Sequence, residues 1–243
     1  MERCYPDPSP LTDDDDLAAA YAWPAGNAGR ATVRANMVTS IDAGASVDGR
    51  SAGLGSAADQ RLLTVLRDLA DVILLGAGTI RAEGYGGIRL DDERLARRRR
   101  WGSAGQPPIA VVTGGGLDRQ SPVFDSATEP IMLTTAVGAA RMAGFPGIAL
   151  TVGTESVDLG AAVRALADRG LRRIHCEGGP RLLGGLVAAG LLDELCLTTS
   201  PVTLGAGPPS LLGGVPTGAP VPWTLKTLHV DGDHVFSRWS RAS

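Results

Sequence analysis

The chain has 243 residues, of which 44% are hydrophobic and 20% are charged, and its formal net charge is −3. A chain of this size and composition can bury a globular core without disulfide bonds or metal ions. The small negative charge argues against a nucleic-acid partner, and no apolar stretch approaches the roughly 18 residues of a membrane-spanning helix.

The first thirty residues are rich in proline and aspartate. We predict an N-terminal arm over residues 1–30, loosely held and with one short helix over Leu17–Tyr21, followed by a single domain over residues 31–243. The arm lacks the apolar region of a secretory signal peptide. Its acidic run, Asp13–Asp16, is expected to supply negative charge at a helix start in solvent rather than to bind a cation.

The three cysteines do not form a disulfide framework, because their number is odd and they contain no CxxC pair. Cys176 and Cys196 lie in apolar, strand-like runs, so we expect both to be buried thiols. Reduced thiols and the missing signal peptide predict a protein of the cytoplasm.

After residue 30 the chain alternates short apolar strands with amphipathic helices. Apolar runs that end in glycine are typical of strands buried on both faces of a parallel sheet. The predicted strands lie, in order, in "ATVRANMVTSID", "DVILLGAGT", "PPIAVVTGGG", "PIMLTT", "GIALTV", "LRRIHCEGG" and "LDELCLTTSP".

Three segments between these strands carry helix signals. The helix in "SAADQRLLTVLRDLA" has Ser56 as its N-cap, and the helix in "VDLGAAVRALADRG" stops at Gly170. The helix in "PRLLGGLVAAG" has Pro180 at its first position and Gly190 directly after its end. Strands that alternate with helices predict an α/β fold with a largely parallel sheet.

The C-terminal tail alternates apolar and polar residues around Asp231-Gly232, a strong signal for an antiparallel hairpin. We therefore predict a mixed, mostly parallel sheet that is flanked by helices and closed by a C-terminal antiparallel hairpin. The basic run Arg97–Arg100 is interpreted as a solvated helix end before a glycine- and serine-rich loop, in preference to a phosphate-binding patch.

Three predicted strand ends are rich in glycine: "GAGT" over 76–79, "TGGG" over 113–116 and "EGGPRL" over 177–182. Ligands of open α/β sheets bind beyond the carboxyl ends of the strands. Bare glycines allow a ligand to approach the backbone, and the start of the following helix offers free N–H groups to an anion. Three such loops predict an extended anion such as a dinucleotide.

Other kinds of active site find little support. The standard dinucleotide fingerprint is excluded, since Arg81 occupies the place of its third glycine. The chain has no GxSxG motif, no recognisable Cys-His pair and no cluster of zinc ligands, so we expect no metal. Redox chemistry carried by a bound cofactor is the simplest alternative.

Four segments resemble one known family in order and spacing: "NMVTSIDAGASVDGR", "LRDLADVILLGAGTIRAEGY", "CEGGPRLLGGLVAAGLLDEL" and "SPVTLGAG". They are similar to the reductase domain of the riboflavin-pathway deaminase/reductases, also called the RibD C-terminal or pyrimidine reductase family. The resemblance covers residues 31–240 and implies a dihydrofolate-reductase-like fold. It also implies an NADPH-dependent 5-amino-6-(5-phosphoribosylamino)uracil reductase, which converts a ribosyl group to ribityl. No zinc deaminase motif precedes it, so the chain resembles a stand-alone, homodimeric reductase.

The resemblance implies a set of cofactor contacts. Val38 would lie beside the nicotinamide, Thr113 would meet the adenosine 2′-phosphate, and Glu83 would lie close to both cofactor and substrate. The remaining positions that match cofactor-binding residues are Gly76, Gly78, Thr79, Gly114, Gly178, Gly179, Pro180, Arg181, Leu182, Leu183, Gly184 and Gly185.

The resemblance also implies catalytic and substrate-binding residues. Glu83 stands four positions after Thr79, where the family has a proposed catalytic acid, and burial would favour a proton donor at neutral pH. Asp42 is the second acidic candidate, with turn formation as its equally supported alternative. The positions that match substrate-binding residues are Asn36, Ser51, Arg67, Arg89 and Glu177.

The departures from the family pattern fall at positions that are expected to surround the substrate rather than the cofactor. The segment "GYGGIR" replaces a DPxLT pattern, "SIDAG" replaces SLDG, Asn36 stands where many members have lysine, and Gly53 stands in place of a tryptophan. Two alternatives to the pyrimidine substrate therefore stay open. One is a reductase of the same fold that acts on dihydrofolate or another pterin, and the other is a non-catalytic NADP-binding protein.

Overall fold

The computed structural model describes residues 1–24 and 29–242; residues 25–28 of the predicted arm, and Ser243, lie outside the described residues. The strands are β1 (Glu2–Tyr5), β2 (Ser9–Pro10), β3 (Thr32–Thr39), β4 (Val72–Gly76), β5 (Ile109–Thr113), β6 (Ile131–Thr134), β7 (Ile148–Thr151), β8 (Arg173–Cys176), β9 (Glu194–Thr199), β10 (Trp223–Asp231) and β11 (His234–Arg241). The α-helices are α1 (Asp14–Ala20), α2 (Ala57–Leu69), α3 (Ala77–Glu83), α4 (Asp92–Arg100), α5 (Ala136–Arg141), α6 (Leu159–Asp168) and α7 (Pro180–Ala188), and a short 3-10 helix covers Pro122–Asp125.

The strands form one sheet in the order β2-β1-β10-β11-β9-β3-β8-β4-β5-β6-β7. The strands from β9 to β7 in this order pair in parallel, whereas β11, β10, β1 and β2 pair antiparallel. The predicted fold class is therefore confirmed, including the hairpin of β10 and β11 around Asp231-Gly232. Since β8, β4 and β5 are neighbours, their three glycine-rich ends lie side by side.

The central strands of the sheet are buried on both faces, as their apolar sequences predict. Along β4, Val72 and Leu74 belong to the core cluster that α6 and α7 cover, whereas Ile73 and Leu75 belong to a cluster on the opposite face. Successive side chains of a strand point to opposite faces, so a continuous apolar run supplies both clusters. None of the helices in the described part of the chain is long and apolar enough to cross a bilayer.

The N-terminal segment is part of the sheet. Strand β1 pairs with β10, and α1 packs on α2, so the prediction of a loosely held arm is wrong for these elements. Helix α1 begins earlier than predicted because Asp13 caps it and accepts a hydrogen bond from the Asp16 backbone. The acidic run therefore forms the cap and first turn of this helix, where its charge favours the helix dipole.

The basic run at the end of α4 is only partly solvated, which corrects the sequence interpretation. Arg98 is 1% exposed and donates hydrogen bonds to the carbonyl oxygens of Asp68, Ala70 and Gly105. Arg97 forms an ion pair with Asp14 of α1. The four consecutive arginines point to different sides of the helix, so the run alone does not show which one is buried.

Two buried histidines stay neutral and predict acid sensitivity. Burial lowers the pKa of His175 and of His229 to about 4, below the 6.5 of an exposed histidine. Between pH 6.5 and 4 the unfolded chain binds these protons and the folded chain does not, so the free energy of unfolding falls as pH falls. We expect His229→Phe to reduce the slope of the unfolding free energy against pH by up to about 1.4 kcal/mol per pH unit. Urea unfolding at several pH values across this range measures the slope. An unchanged slope would contradict the neutral state of His229.

Candidate active site

A cavity of about 1280 Å³ opens at the carboxyl ends of the central strands. This exceeds the roughly 300–1,000 Å³ of a pocket for one small molecule, so two ligands can share it. Its lining comes from β3, the 45–52 loop, α2, and the loops and helices after β4, β5 and β8. It includes Asn36, Val38, Ser51, Asp59, Leu63, Arg67, Gly76, Gly78, Thr79, Arg81, Glu83, Tyr85, Thr113, Gly114, Gly115, Glu177, Gly179, Pro180, Arg181 and Leu182.

The three predicted glycine-rich loops meet in this cavity. Residues from 76–79, 113–116 and 177–182 line one continuous wall. The Gly76 amide donates a hydrogen bond of 2.8 Å to the carbonyl of Gly178, which joins the first loop to the third. The sheet thus brings together three segments that are far apart in the sequence.

The turn between β8 and α7 admits little more than glycine. Gly178 has φ of 85°, and a Cβ there would lie 2.9 Å from the Met37 sulfur. A Cβ on Gly179 would lie 2.8 Å from the Thr79 hydroxyl. Gly179 is also the N-cap of α7 and supplies no side-chain cap. Pro180 at the first position has no N–H, and the next two residues, Arg181 and Leu182, line the cavity. This arrangement fits the pyrophosphate of a dinucleotide.

The next turn of α7 faces the core instead of the cavity. Leu183 is fully buried, and a Cβ on Gly184 would lie 2.4 Å from the Leu212 carbonyl oxygen. A Cβ on Gly185 would lie 2.9 Å from Leu159. These three positions were predicted to bind cofactor, but they lie outside the cavity lining, and their small size allows α7 to pack closely.

Thr113 does not present a free hydroxyl to a ligand. Its Oγ1 accepts a hydrogen bond from the Gly116 amide and donates one to the Gly116 carbonyl, which closes the "TGGG" loop. A guanidinium nitrogen of Arg141 lies 3.7 Å from the Cβ position of Gly115. Arg141 forms no ion pair with any residue that the structure describes, so it is the free cation beside this loop.

Glu83 is the last residue of α3 and is half-buried in the cavity wall. Thr79 and Glu83 are four residues apart on a helix and therefore share one face. The Glu83 Oε1 accepts a hydrogen bond of 2.8 Å from the Ser51 amide, which fixes the carboxylate against the 45–52 loop. An acid thus lies between the predicted cofactor loops and the predicted substrate residues.

Asp42 forms a turn and does not line the cavity, which supports the structural alternative. Its carboxylate accepts hydrogen bonds from the Ser40 hydroxyl and from the Leu204 and Gly205 amides. The Ser40 hydroxyl contributes most, and together these bonds lower the pKa of Asp42 to about 2. Asp42 is therefore ionised at neutral pH and cannot donate a proton there.

Arg67, Tyr85 and Glu177 form a half-buried network at the cavity wall. Arg67 donates two hydrogen bonds to the two carboxylate oxygens of Glu177, at 2.7 and 2.8 Å, and the Tyr85 hydroxyl donates a third at 2.7 Å. Burial alone would raise the pKa of Glu177, but Arg67 outweighs this effect and the net pKa is lowered. Arg67 is thus already paired with a carboxylate before any phosphate arrives.

The three other predicted substrate residues differ in their surroundings. Asn36 and Ser51 line the cavity, whereas Arg89 is exposed and lies outside the lining. Sequence reasoning missed Tyr85 and Asp59, which both line it. The spacing of Asp59, Leu63 and Arg67 on α2 is the available signal, since residues four apart share one helix face.

A family model described as the RibD C-terminal domain matches residues 31–236. The 2,5-diamino-6-ribosylamino-4(3H)-pyrimidinone 5′-phosphate reductase of Methanothermobacter thermautotrophicus is 28% identical over 177 residues, which are 68% of this chain and 78% of the relative. The riboflavin biosynthesis protein RibD of Mycobacterium tuberculosis is 31% identical over 170 residues, which are 69% of this chain but only 41% of the relative.

Among solved structures, a pyrimidine reductase-like protein from Corynebacterium diphtheriae has the same fold. Its TM-score is 0.80 at 24% sequence identity, with 93% of this chain and 98% of that chain covered. The matching segment begins where β3 begins and includes every cavity-lining loop described above. The chain therefore belongs to the RibD C-terminal domain family.

Proposed function

We propose that the chain is an NADPH-dependent reductase that converts the ribosyl group of a 6-ribosylaminopyrimidine 5′-phosphate to a ribityl group in riboflavin biosynthesis. The observation that carries the proposal is the meeting of three glycine-rich strand ends and the carboxyl group of Glu83 in a single cavity. The name of the archaeal relative, a ribosylaminopyrimidinone phosphate reductase, supports the same reaction.

The cofactor half of the cavity fits an extended dinucleotide. Gly78 and Gly114 leave open space where a side chain would stand, and the uncapped start of α7 offers N–H groups to a pyrophosphate. Val38 lies across from these loops on β3 and would face the nicotinamide. When bound, NADPH supplies a hydride to the substrate.

The reaction also needs one proton. As hydride reaches the ribosyl C1, the bond between C1 and the ring oxygen breaks, and that oxygen takes a proton to become a hydroxyl group. We assign this proton to Glu83, whose carboxyl is held by the Ser51 amide at the junction of the two halves. A positioned acid of this kind accelerates proton transfer by roughly 10²–10⁴-fold.

The substrate phosphate is assigned to the wall formed by Ser51 and Arg67. The Ser51 amide is used by Glu83, so its hydroxyl is the group available to a phosphate oxygen. Glu177 orients the Arg67 guanidinium and offsets part of its charge, which leaves hydrogen-bond direction as the main contribution of Arg67. Arg81 and Arg181 also line the cavity and balance the anionic ligands.

The activity is tested by following NADPH oxidation with three substrates: the 2-amino-pyrimidinone phosphate, its uracil counterpart and dihydrofolate. We expect oxidation with a ribosylaminopyrimidine phosphate and formation of the ribityl product. Oxidation with dihydrofolate alone would support the pterin alternative. Tight NADPH binding without oxidation of any substrate would support the non-catalytic alternative.

Arg141 is expected to give the preference for NADPH over NADH, because its guanidinium lies beside the "TGGG" loop. We predict that Arg141→Ala weakens NADPH binding about tenfold, or about 1.4 kcal/mol, and leaves NADH binding unchanged. Isothermal titration with each cofactor measures both constants. Arg164→Ala, on α6, is the control. Equal losses for both cofactors would show that Arg141 does not contact the 2′-phosphate.

We also propose a cytoplasmic homodimer joined through the C-terminal strands. Trp223 and Leu225 of β10 are only half-buried, and Val235 of β11 is 37% exposed. Strand β1 already pairs with the outer edge of β10, so a second copy would pack on the face of these strands. Sedimentation analysis tests the dimer, and a Val235→Glu variant would dissociate it.

A further inference from the structure

One polar group of the cavity wall, the Tyr85 hydroxyl, takes no part in the proposed chemical steps. It donates a hydrogen bond of 2.7 Å to Glu177 Oε2 and accepts one of 2.6 Å from Arg67 Nη2. Burial, together with the Glu177 carboxylate, raises the pKa of Tyr85, so the hydroxyl keeps its proton at neutral pH and donates it to Glu177. Tyr85 therefore bridges a residue of α2 and a residue at the end of β8.

The end of α3 directs Tyr85 toward this pair. Gly84 follows Glu83 with φ of 63°, a left-handed conformation that ends the helix, and the Tyr85 amide donates to the Ile80 carbonyl at 3.1 Å. The Tyr85 ring then lies beside the Arg67 guanidinium, whose central carbon is 5.4 Å from the ring centroid. Because Tyr85 belongs to the segment "GYGGIR", which departs from the family pattern, the resemblance assigns it no role.

The hydrogen bonds of Arg67 leave one nitrogen for a ligand. A guanidinium group has five N–H donors. The Nε donor and one Nη2 donor bind the two carboxylate oxygens of Glu177, and the second Nη2 donor binds the Tyr85 hydroxyl. Nη1 donates to no residue of the described ranges, 1–24 and 29–242, and it is not a buried atom. The two N–H groups of Nη1 are therefore open to the cavity that Arg67 lines.

We infer that Tyr85 is a positioning residue that holds the Arg67 guanidinium so that its Nη1 meets the substrate phosphate. The inference rests on the proposed function, in which Ser51 and Arg67 hold that phosphate. Glu177 fixes the guanidinium only against a carboxylate on a flexible side chain, whereas Tyr85 binds both partners and ties them to the end of α3. Without the hydroxyl, one N–H of a half-buried cation loses its acceptor, and the guanidinium turns to find another.

Tyr85→Phe tests the inference, because it removes one oxygen atom and keeps the ring beside Arg67. The measured quantity is the ratio of kcat/KM for the ribosylaminopyrimidine 5′-phosphate to kcat/KM for the same compound without its phosphate. We expect this ratio to fall at least about tenfold through a higher KM for the phosphorylated substrate, because a hydrogen bond to a charged group is lost. Tyr5→Phe, at an exposed tyrosine of β1, should keep the wild-type ratio.

The ratio separates positioning from a general effect on the fold. A loosened fold would lower kcat/KM for both substrates in the same proportion, so an unchanged ratio overturns the inference. A higher ratio also overturns it, since Tyr85 would then obstruct the phosphate.

A double variant checks that Tyr85 acts through Arg67. Arg67→Lys keeps the positive charge but lacks the planar set of donors that binds Glu177 and Tyr85 together. In this background, Tyr85→Phe should lower the ratio no further, because the group that it positions is already gone. A second loss as large as the first would show that Tyr85 acts without Arg67, and would overturn the inference.

A binding measurement extends the test to conditions without turnover. Ribose 5-phosphate and ribose are titrated into the protein with NADP⁺, and the wild-type protein should bind the phosphate ester more tightly. Tyr85→Phe should lose most of this difference, with thermal unfolding as the check that it is folded. If no ribosylaminopyrimidine is reduced, the proposed function fails, and weaker binding of ribose 5-phosphate to Tyr85→Phe would still support the positioning role. Equal binding by both proteins, or no binding by the wild type, overturns that role.

Discussion

Replacing Glu83 by glutamine is expected to lower kcat by about a hundredfold or more, with little change in the dissociation constant for NADPH. The amide has almost the same shape and can still accept a hydrogen bond from the Ser51 amide, so the 45–52 loop keeps its position. It cannot donate the proton that the opened ribosyl ring requires. Steady-state kinetics with saturating NADPH, together with fluorescence titration of the cofactor, separate turnover from binding.

Glu129→Gln is the matched control for this variant, because Glu129 is exposed and far from the cavity lining. It should retain wild-type kcat. If Glu83 only held the loop in place, the glutamine variant would raise KM and leave kcat close to wild type. That outcome would remove Glu83 as the proton donor.

Gly179→Ala is expected to weaken NADPH binding at least tenfold, which corresponds to about 1.4 kcal/mol. The new methyl group would lie 2.8 Å from the Thr79 hydroxyl, at the N-cap position of α7. Either the loop moves away from α3 or the pyrophosphate moves away from the helix, and both changes remove hydrogen bonds to the cofactor. Isothermal titration with NADPH measures the loss.

Gly86→Ala is the control for backbone effects, because its Cβ would meet nothing within 4 Å and its φ is not in the left-handed region. It should bind NADPH as the wild-type protein does. Thermal unfolding of both variants checks that the fold survives. Unchanged affinity in a folded Gly179→Ala variant would mean that the cofactor phosphates lie elsewhere, and the three-loop assignment would then be wrong.

Local sequence patterns were sufficient for the strands of the central sheet and for the glycine-rich loops at its edge. Each apolar run that ends in glycine became a strand of the sheet, and Pro180 marked the start of α7. These signals are local, since a strand, a turn and a helix start each depend on a few neighbouring residues. The cofactor assignment of Leu183–Gly185 came from the family resemblance instead, and these residues lie outside the cavity lining.

The partners of the charged residues could not be predicted from local sequence patterns. Arg98 looked like one of four equivalent exposed arginines, yet it donates to four carbonyl oxygens inside the protein. Arg67 resembled an isolated phosphate ligand, yet Glu177 pairs with it from a position 110 residues away. A charged side chain has no preferred partner within its own segment, so its environment depends on which elements pack around it.

The amino-acid sequence by itself determined the alternating α/β fold and the three glycine-rich strand ends, because these follow from short-range periodicity and turn residues. Its four motifs carried the family resemblance. Only the tertiary structure decided which side chains meet in the cavity. It brought Glu83 to the Ser51 loop and used Asp42 in a turn. The physical reason is that burial and hydrogen-bond partners depend on contacts between segments that are distant in the chain, and no local pattern encodes those contacts.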